Sequence, residues 1–283
     1  MRLWVHRYTL MPRRRLSGIA REGAREGALL RVDDGFADVH PWPELGDAPL
    51  EEQLALLARG ETTPLTCASL RLAKLDGEAR RRGVSLFDGL TIPESHWPGN
   101  DPPAAFDTVK LKGVMEVPPH VRIRIDFNAT LTAEEFVRIA KTLPKERIDF
   151  VEDPCPYDDA VWQSLRRRTG VKLAYDQPQS ANRQSPTEFD VRIHKPATQT
   201  EWPDHPDIAV TSYMDHPVGQ YGAAYIAATH RTNARCGLFT HVLYEPNAFI
   251  ERVAANGARL LPPTGTGIGF DDLLEQLAWT SIG

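Results

Sequence analysis

Short apolar runs that each end in a charged residue recur along the middle of this chain, and their spacing limits the folds open to it. The runs are residues 110–113 (KLKG), 124–128 (RIDFN), 150–154 (FVEDP) and 173–178 (LAYDQP), and a fifth, RIHKP, delivers Lys195. The near-equal intervals from Asp126 to Glu152 and from Glu152 to Asp176 each leave room for one strand, one helix and a return loop. Successive parallel strands would then present three carboxylates at one end of a sheet, flanked by lysines. The expectation is an α/β fold: a modified TIM barrel of (β/α)7β type with a small α+β capping domain at its N-terminus.

The chain has 283 residues and 41% hydrophobic content, enough to bury a barrel core beside a small accessory domain. A net charge of −5 gives no electrostatic footprint for nucleic acid, and the basic runs Arg13 to Arg15 and Arg80 to Arg82 read as solvated surface. Three widely spaced cysteines, Cys67, Cys155 and Cys236, form no zinc-like pair and read as reduced thiols. No stretch approaches the roughly 18 to 20 apolar residues of a membrane span. The expected protein is therefore soluble and cytoplasmic, without nucleic-acid or membrane partners. Its oligomeric state is open, and a monomer is compatible with the sequence.

Two parts are expected, residues 1–88 as the capping domain with a linking helix and residues 89–283 as the barrel with a closing helix. In the first, residues 4–10 and 28–40 read as strands around a turn at Asp33 to Gly35. Residues 50–59 read as a helix stopped by Gly60, and residues 65–82 as a longer helix with Thr66 as N-cap and Gly83 as stop. From about Leu90 the pattern becomes strand, helix, strand. The clearest helix, residues 132–143, opens with the capping box Thr132/Glu135 and places Phe136, Ile139, Ala140 and Leu143 on one face. Another begins near Asp158 or Asp159, buries Trp162 and Leu165 and stops at Gly170, and residues 219–230 form a small-residue helix. Residues 207–213 and 235–241 read as late strands and 271–279 as a final helix.

Side chains alternate along a strand, so Lys110 and Lys112 share a face, as do Arg124, Asp126 and Asn128. At the C-terminal ends of barrel strands, inward charged groups converge. Three crowded carboxylates would repel one another unless a cation neutralised them. Magnesium suits such an all-oxygen set, and Mn²⁺ is a possible substitute. A lysine beside a divalent cation loses its proton more readily, which suits it to remove a proton α to a carboxylate. Singly, each acid would read as a helix cap or a surface ion pair. Their joint position at strand ends, beside lysines, is what points to a site. Residues 265–269 (GTGIG) read as a turn rather than a phosphate loop, because no lysine follows and Asp271 and Asp272 adjoin. His194, His216 and His241 show no metal-ligand spacing.

The order K-x-K, D-x-N, E-D-P, D and K-P resembles the muconate-lactonizing subgroup of the enolase superfamily, and within it the o-succinylbenzoate synthase family. Residues 27–46 look like that family's capping segment, with residues 40–46 as a loop closing over substrate. Residues 66–89 look like the helix before the barrel, and residues 211–219 and 265–269 like late pocket segments. The resemblance implies Lys112 as acid/base, Lys195 as the opposing, enediolate-stabilising lysine and Lys110 as their companion. It implies Asp126, Glu152 and Asp176 as Mg²⁺ ligands, and Arg124, Asn128 and Ser212 as substrate-pocket or supporting groups. The implied reaction is dehydration of a cyclohexadiene carboxylate, a small-molecule substrate of menaquinone biosynthesis. Gln177 stands where relatives have an acidic residue, and Tyr213, His216 and Pro217 stand where small hydroxyl residues are common. Rival readings are N-succinylamino acid racemisation by the same lysines and a barrel retained as a non-catalytic binder.

Overall fold

The computed structural model describes residues 2–176, 186–232 and 234–282. In chain order its elements begin with β1 (Leu3–Leu10), β2 (Arg25–Val32), β3 (Gly35–Val39), α1 (Leu50–Ala58) and α2 (Pro64–Arg81). Then come β4 (Thr108–Leu111), β5 (Arg122–Asp126), α3 (Ala133–Ala140), β6 (Ile148–Glu152), α4 (Asp159–Thr169), β7 (Leu173–Tyr175), β8 (Val191–His194) and β9 (Ile208–Val210). The chain continues through α5 (Pro217–Thr229), β10 (Ala255–Asn256), β11 (Arg259–Leu260), α6 (Asp271–Leu274) and β12 (Thr280–Ser281). It divides into two compact units. One comprises Met1–Glu94, Lys195–Trp202 and Val210–Gly283, the other Ser95–His194 and Pro203–Ala209.

In the first unit an antiparallel sheet runs in the order β12-β1-β2-β3. The hairpin between β2 and β3 turns at Asp33, whose φ of 51° lies in the left-handed region, as the sequence expectation placed it. Helix α2 lies close against β3 because two glycines meet there: a Cβ on Gly35 would stand 1.8 Å from the Ala73 carbonyl oxygen. Asp76 fastens the contact. Its buried carboxylate accepts from the Phe36 and Ile268 backbone N–H groups at 2.7 and 2.5 Å and from Arg80 Nε at 2.7 Å. The second of those donors belongs to residues 265–269, which are thus a turn wrapped on α2. The N-cap of α2 is Thr63 and not Thr66. Thr66 is instead the third helical residue, and the two side chains form a reciprocal capping box with Pro64 at the first helical position.

Two late elements differ from the sequence expectation. Residues 235–241 are not a continuous strand: only Cys236 and Gly237 are bridge residues, Gly237 to Thr211, and a 3-10 turn begins at Thr240. The backbone is satisfied there by a side chain, since Gln220 of α5 accepts from His241 N at 3.1 Å. The helix expected at 271–279 ends at Leu274. Gln276 and Trp279 side chains donate to the Asp272 and Leu274 carbonyls, taking acceptors that a longer helix would use.

The second unit is built on the parallel sheet, ordered β4-β5-β6-β7-β8-β9 among the described residues. Leu111, Ile123, Ile125, Val151 and Leu173 pack with Phe136 of α3 and with Trp162 and Leu165 of α4 in one core. Helix α3 carries the expected Thr132/Glu135 capping box, and α4 is capped by Asp158 and ends at Gly170 in the left-handed conformation. Parallel neighbours usually need a crossover of a dozen or more residues, most often helical. The β4 to β5 connection, residues 112–121, contains no helix and leaves Val114 and Met115 exposed. The strand, helix, strand expectation fails at that step because too few residues separate the strands. No helix among the described residues is long and apolar enough to cross a membrane.

Candidate active site

Strand register, more than loop geometry, assembles the charged cluster. Lys110 pairs with Arg124 across β4 and β5, and Asp126 pairs with Glu152 across β5 and β6. Paired residues of parallel strands share a face. Lys110 Nζ donates to both carboxylate oxygens of Glu152, at 2.6 and 2.7 Å, and lies 3.1 Å from Asp126 Oδ2. Lys112, one residue past the end of β4, donates to the same Asp126 oxygen. Asp126 and Glu152 are buried. The Lys110 side chain is 14% exposed and that of Lys112 is 32% exposed, so Lys112 is the more accessible amine.

The electrostatics follow from crowding. Burial alone would lower the Lys110 ammonium, but Glu152, Asp126 and Asp176 together hold it above its ordinary value. Burial would likewise raise Asp126, which Lys112 and Lys110 instead hold well below the usual carboxylate range. Glu152 goes the other way: burial and then the repulsion of Asp126 push it well up, with Lys110 opposing and Asp176 adding to the rise. Glu152 thus feels the negative charge of both Asp126 and Asp176.

The other expected site residues fall in different places. Arg124 is buried, with Nε on Asp149 at 2.8 Å, Nη1 3.0 Å from His96 Nδ1 and its guanidinium 4.5 Å from the Phe150 ring centre. Asn128 has φ of 49°, followed by Ala129 at 57°, and its backbone N–H donates to Asp126 Oδ1 at 2.8 Å. Left-handed backbone at consecutive non-glycine residues costs energy and marks a loop held by its surroundings. Gln177 lies outside the described residues. In the other unit, Ser212 Oγ lies 2.7 Å from Thr240 Oγ1 and donates to the Gly237 carbonyl at 3.2 Å. Lys195 follows β8 in a short turn in which its carbonyl accepts from Thr198 and Gln199. Its Nζ lies 5.9 Å from the Tyr213 ring centre.

Two residues of this region were not singled out by sequence. Asp153, also left-handed at φ 42°, joins three strand ends: its N–H donates to the Ala174 carbonyl, its carbonyl accepts from Ala129, and its carboxylate accepts from Asp176 N at 3.1 Å. Its position beside Glu152 was the available signal. His96 lies upstream of the first barrel strand and had none. Burial and the charges of Arg124, Lys110 and Lys112 hold its imidazole well below its ordinary pKa, hence neutral.

Asp126, Glu152 and Asp176 offer only oxygen donors, and the repulsion that raises Glu152 is what a divalent cation would relieve. In chemistry the set fits Mg²⁺. Among the described residues no three carboxylate, imidazole or thiolate groups are already drawn together as a metal cage.

Comparison with known proteins bears on the family of the chain. Residues 3–79 match the family model described as the o-succinylbenzoate synthase N-terminal domain, and residues 96–184 match the enolase C-terminal domain-like family. The o-succinylbenzoate synthase of Bdellovibrio bacteriovorus is 34% identical, covering 97% of each chain. The chain belongs to the o-succinylbenzoate synthase family. It is accordingly an enzyme of the lyase class and an α/β member of the enolase superfamily. The o-succinylbenzoate synthase of Klebsiella pneumoniae is 26% identical over 54% of this chain and 59% of its own. Among solved structures, a dipeptide epimerase from Cytophaga hutchinsonii complexed with Mg and the dipeptide D-Ala-L-Val shares the fold. Its TM-score is 0.74 at 13% identity, over 100% of this chain and 99% of its own. The L-Ala-D/L-Glu epimerase from Bacillus subtilis gives 0.71 at 14% identity, over 95% and 98%.

Proposed function

We propose that this protein is an o-succinylbenzoate synthase that dehydrates 2-succinyl-6-hydroxy-2,4-cyclohexadiene-1-carboxylate to 2-succinylbenzoate, with Mg²⁺ as cofactor and Mn²⁺ as a substitute, in menaquinone biosynthesis. The observation that carries the reading is the interlocked cluster of Lys110, Lys112, Asp126 and Glu152 in a chain 34% identical to a synthase over 97% of its length. Asp126, Glu152 and Asp176 would hold the cation, which when bound supplies positive charge against the negative charge developing on the substrate carboxylate. Lys112, just past the end of β4 and more exposed than Lys110, is the base. Its neutral amine takes the proton α to the carboxylate, and the electron pair moves into the carboxylate to give an enediolate. Collapse of the enediolate forms the ring double bond and breaks the carbon–oxygen bond to the hydroxyl. That hydroxyl takes the same proton from the Lys112 ammonium and leaves as water, so the lysine returns neutral. Lys110 keeps its proton, since three carboxylates favour it, and serves as a fixed charge. Lys195 is the second lysine of the pattern, an ammonium that stabilises the enediolate. Arg124 acts beneath the cluster through Asp149 and His96, and Asn128 through the loop after β5. Ser212, whose buried hydroxyl is held by Thr240 and the Gly237 carbonyl, is a substrate-pocket or supporting group of the late segment.

The test is ultraviolet-monitored turnover of the cyclohexadiene carboxylate by wild type, Lys112→Ala and an EDTA-treated sample. The aromatic product should form with wild type and Mg²⁺ alone. Wild type inactive here but racemising N-succinylamino acids would replace the proposal with racemisation. Inactivity on both, with no exchange of a substrate α-proton, would leave a binding role.

A further inference from the structure

Within the unit that carries Lys195, one tyrosine is built against both the lysine and a half-buried carboxylate. The Tyr213 ring faces Lys195 Nζ at 5.9 Å, and its hydroxyl donates to Asp47 Oδ2 at 3.0 Å. The same Asp47 oxygen accepts from Trp42 N at 2.8 Å, and Asp47 N donates back to the Trp42 carbonyl. Tyr213 is 6% exposed and Trp42 1%, so neither ring is free to swing. Trp42 is fixed further by Arg25, whose guanidinium lies 3.9 Å from its ring centre and pairs with Glu44 at 2.7 Å. Residues 40–47 are therefore fastened at Trp42, at Glu44 and, through Asp47, at Tyr213. Burial raises the Asp47 carboxyl, while Trp42 N–H, the Tyr213 hydroxyl and the charge of Lys195 oppose the rise.

We propose that Asp47 and Tyr213 are positioning residues for Lys195: the ring face seats the ammonium, and Asp47 fixes the ring through its hydroxyl. The inference rests on the role given to Lys195 above and deepens it. An ammonium over an aromatic face and near a carboxylate is held in place as a cation. Lys195 is thus arranged as a charge and not as a second base. That favours one-base dehydration over racemisation, in which each of two lysines must in turn be neutral. It also makes the placing of residues 40–47 and the placing of Lys195 one event.

The test uses the full chain as wild type, Tyr213→Phe, Tyr213→Leu and Asp47→Asn. First, Lys195 acetylation by an activated ester is timed by mass spectrometry, with exposed Lys74 as internal reference. Tyr213→Leu and Asp47→Asn should label Lys195 roughly 3- to 10-fold faster, with Tyr213→Phe closer to wild type because the ring remains. Second, kcat for dehydration should fall about tenfold in Tyr213→Leu with KM within about twofold, and Tyr213→Phe should recover most of the loss. Equal Lys195 labelling in all four proteins, Lys74 being unchanged, overturns the proposal. So does a loss in KM alone. Labelling needs no turnover, so an inactive wild type refutes the proposed function while the pair is still decided. If Tyr213→Leu does not fold, Asp47→Asn decides it.

Discussion

Replacing Lys110 with methionine removes the ammonium that stands among three carboxylates while keeping the apolar stem that β4 buries. Wild type has Lys110 Nζ 2.6 and 2.7 Å from the Glu152 oxygens and 3.1 Å from Asp126, with the two acids 1% and 3% exposed. Breaking a buried pair from one side costs about 3 to 5 kcal/mol, because the remaining charge is left without compensation. Lys112 stays on Asp126, which puts the expected loss at the low end, about 3 kcal/mol. With a urea slope of about 3 kcal/mol/M, the unfolding midpoint of the metal-free protein should fall by roughly 1 M at pH 8. The gap should narrow as pH falls. Glu152 already has a folded pKa above its unfolded value, so its neutral form is favoured in the folded state and its ionisation weakens folding as pH rises. Saturating Mg²⁺ should stabilise Lys110→Met more than wild type, about 2.7 kcal/mol being available at a hundredfold excess over Kd. A midpoint within roughly 0.2 M of wild type at pH 8 in EDTA would show that Lys110 does not compensate these acids, and the electrostatic reading of the cluster would go with it.

Asp215 supplies a second test, distant in sequence from the lysines. Its carboxyl is pushed up to about 7 by burial, and its Oδ2 shares with Asp38 Oδ2 the space beside Gly219. A folded pKa above the unfolded one means that its contribution to stability is full below about pH 4 and lost as pH rises to 7. Asp215→Asn should therefore gain on wild type by an amount of order 2 to 4 kcal/mol between pH 4 and 8, measured by urea unfolding; a gap that does not change with pH would contradict the shift. Gly267→Ala forces φ of 56° on an L-residue and drives a Cβ to 2.1 Å from Asp76 Oδ1, whereas Gly46→Ala at φ 98° meets nothing within 4 Å. The first should lower the thermal midpoint by several times the second, and equal effects would mean that the contact with Asp76 adds nothing beyond backbone strain.

The fold was legible wherever a local rule decides it. Alternation and the acid-terminated runs marked β4 to β8, and the Thr132/Glu135 box marked α3, because each depends on residues within a few positions of one another. Errors arose where a distant group decides the outcome. Thr66 reads as a cap until Thr63 and Pro64 are seen to begin the turn, and residues 235–241 read as a strand until Gln220 takes the backbone donor of His241. The missing helix between β4 and β5 was a matter of counting, since residues 112–121 cannot hold a helix and two loops.

At the site, residue types were legible but pairings were not. Arg124 shares the alternation of Asp126, yet the choice of Asp149 and His96 as its partners depends on a neighbouring strand and on a segment upstream of the sheet. Lys110 and Lys112 are alike in sequence, and register separates them. Lys110 reaches both Asp126 and Glu152, while Lys112, beyond the strand end, reaches Asp126 and keeps about a third of its side chain in solvent. An amine surrounded by acids holds its proton, and one at the rim of the same cluster is nearer to a reagent. The register of two parallel strands thus gives two identical side chains different surroundings, and it is on that difference that the proposed roles of fixed charge for Lys110 and acid/base for Lys112 rest.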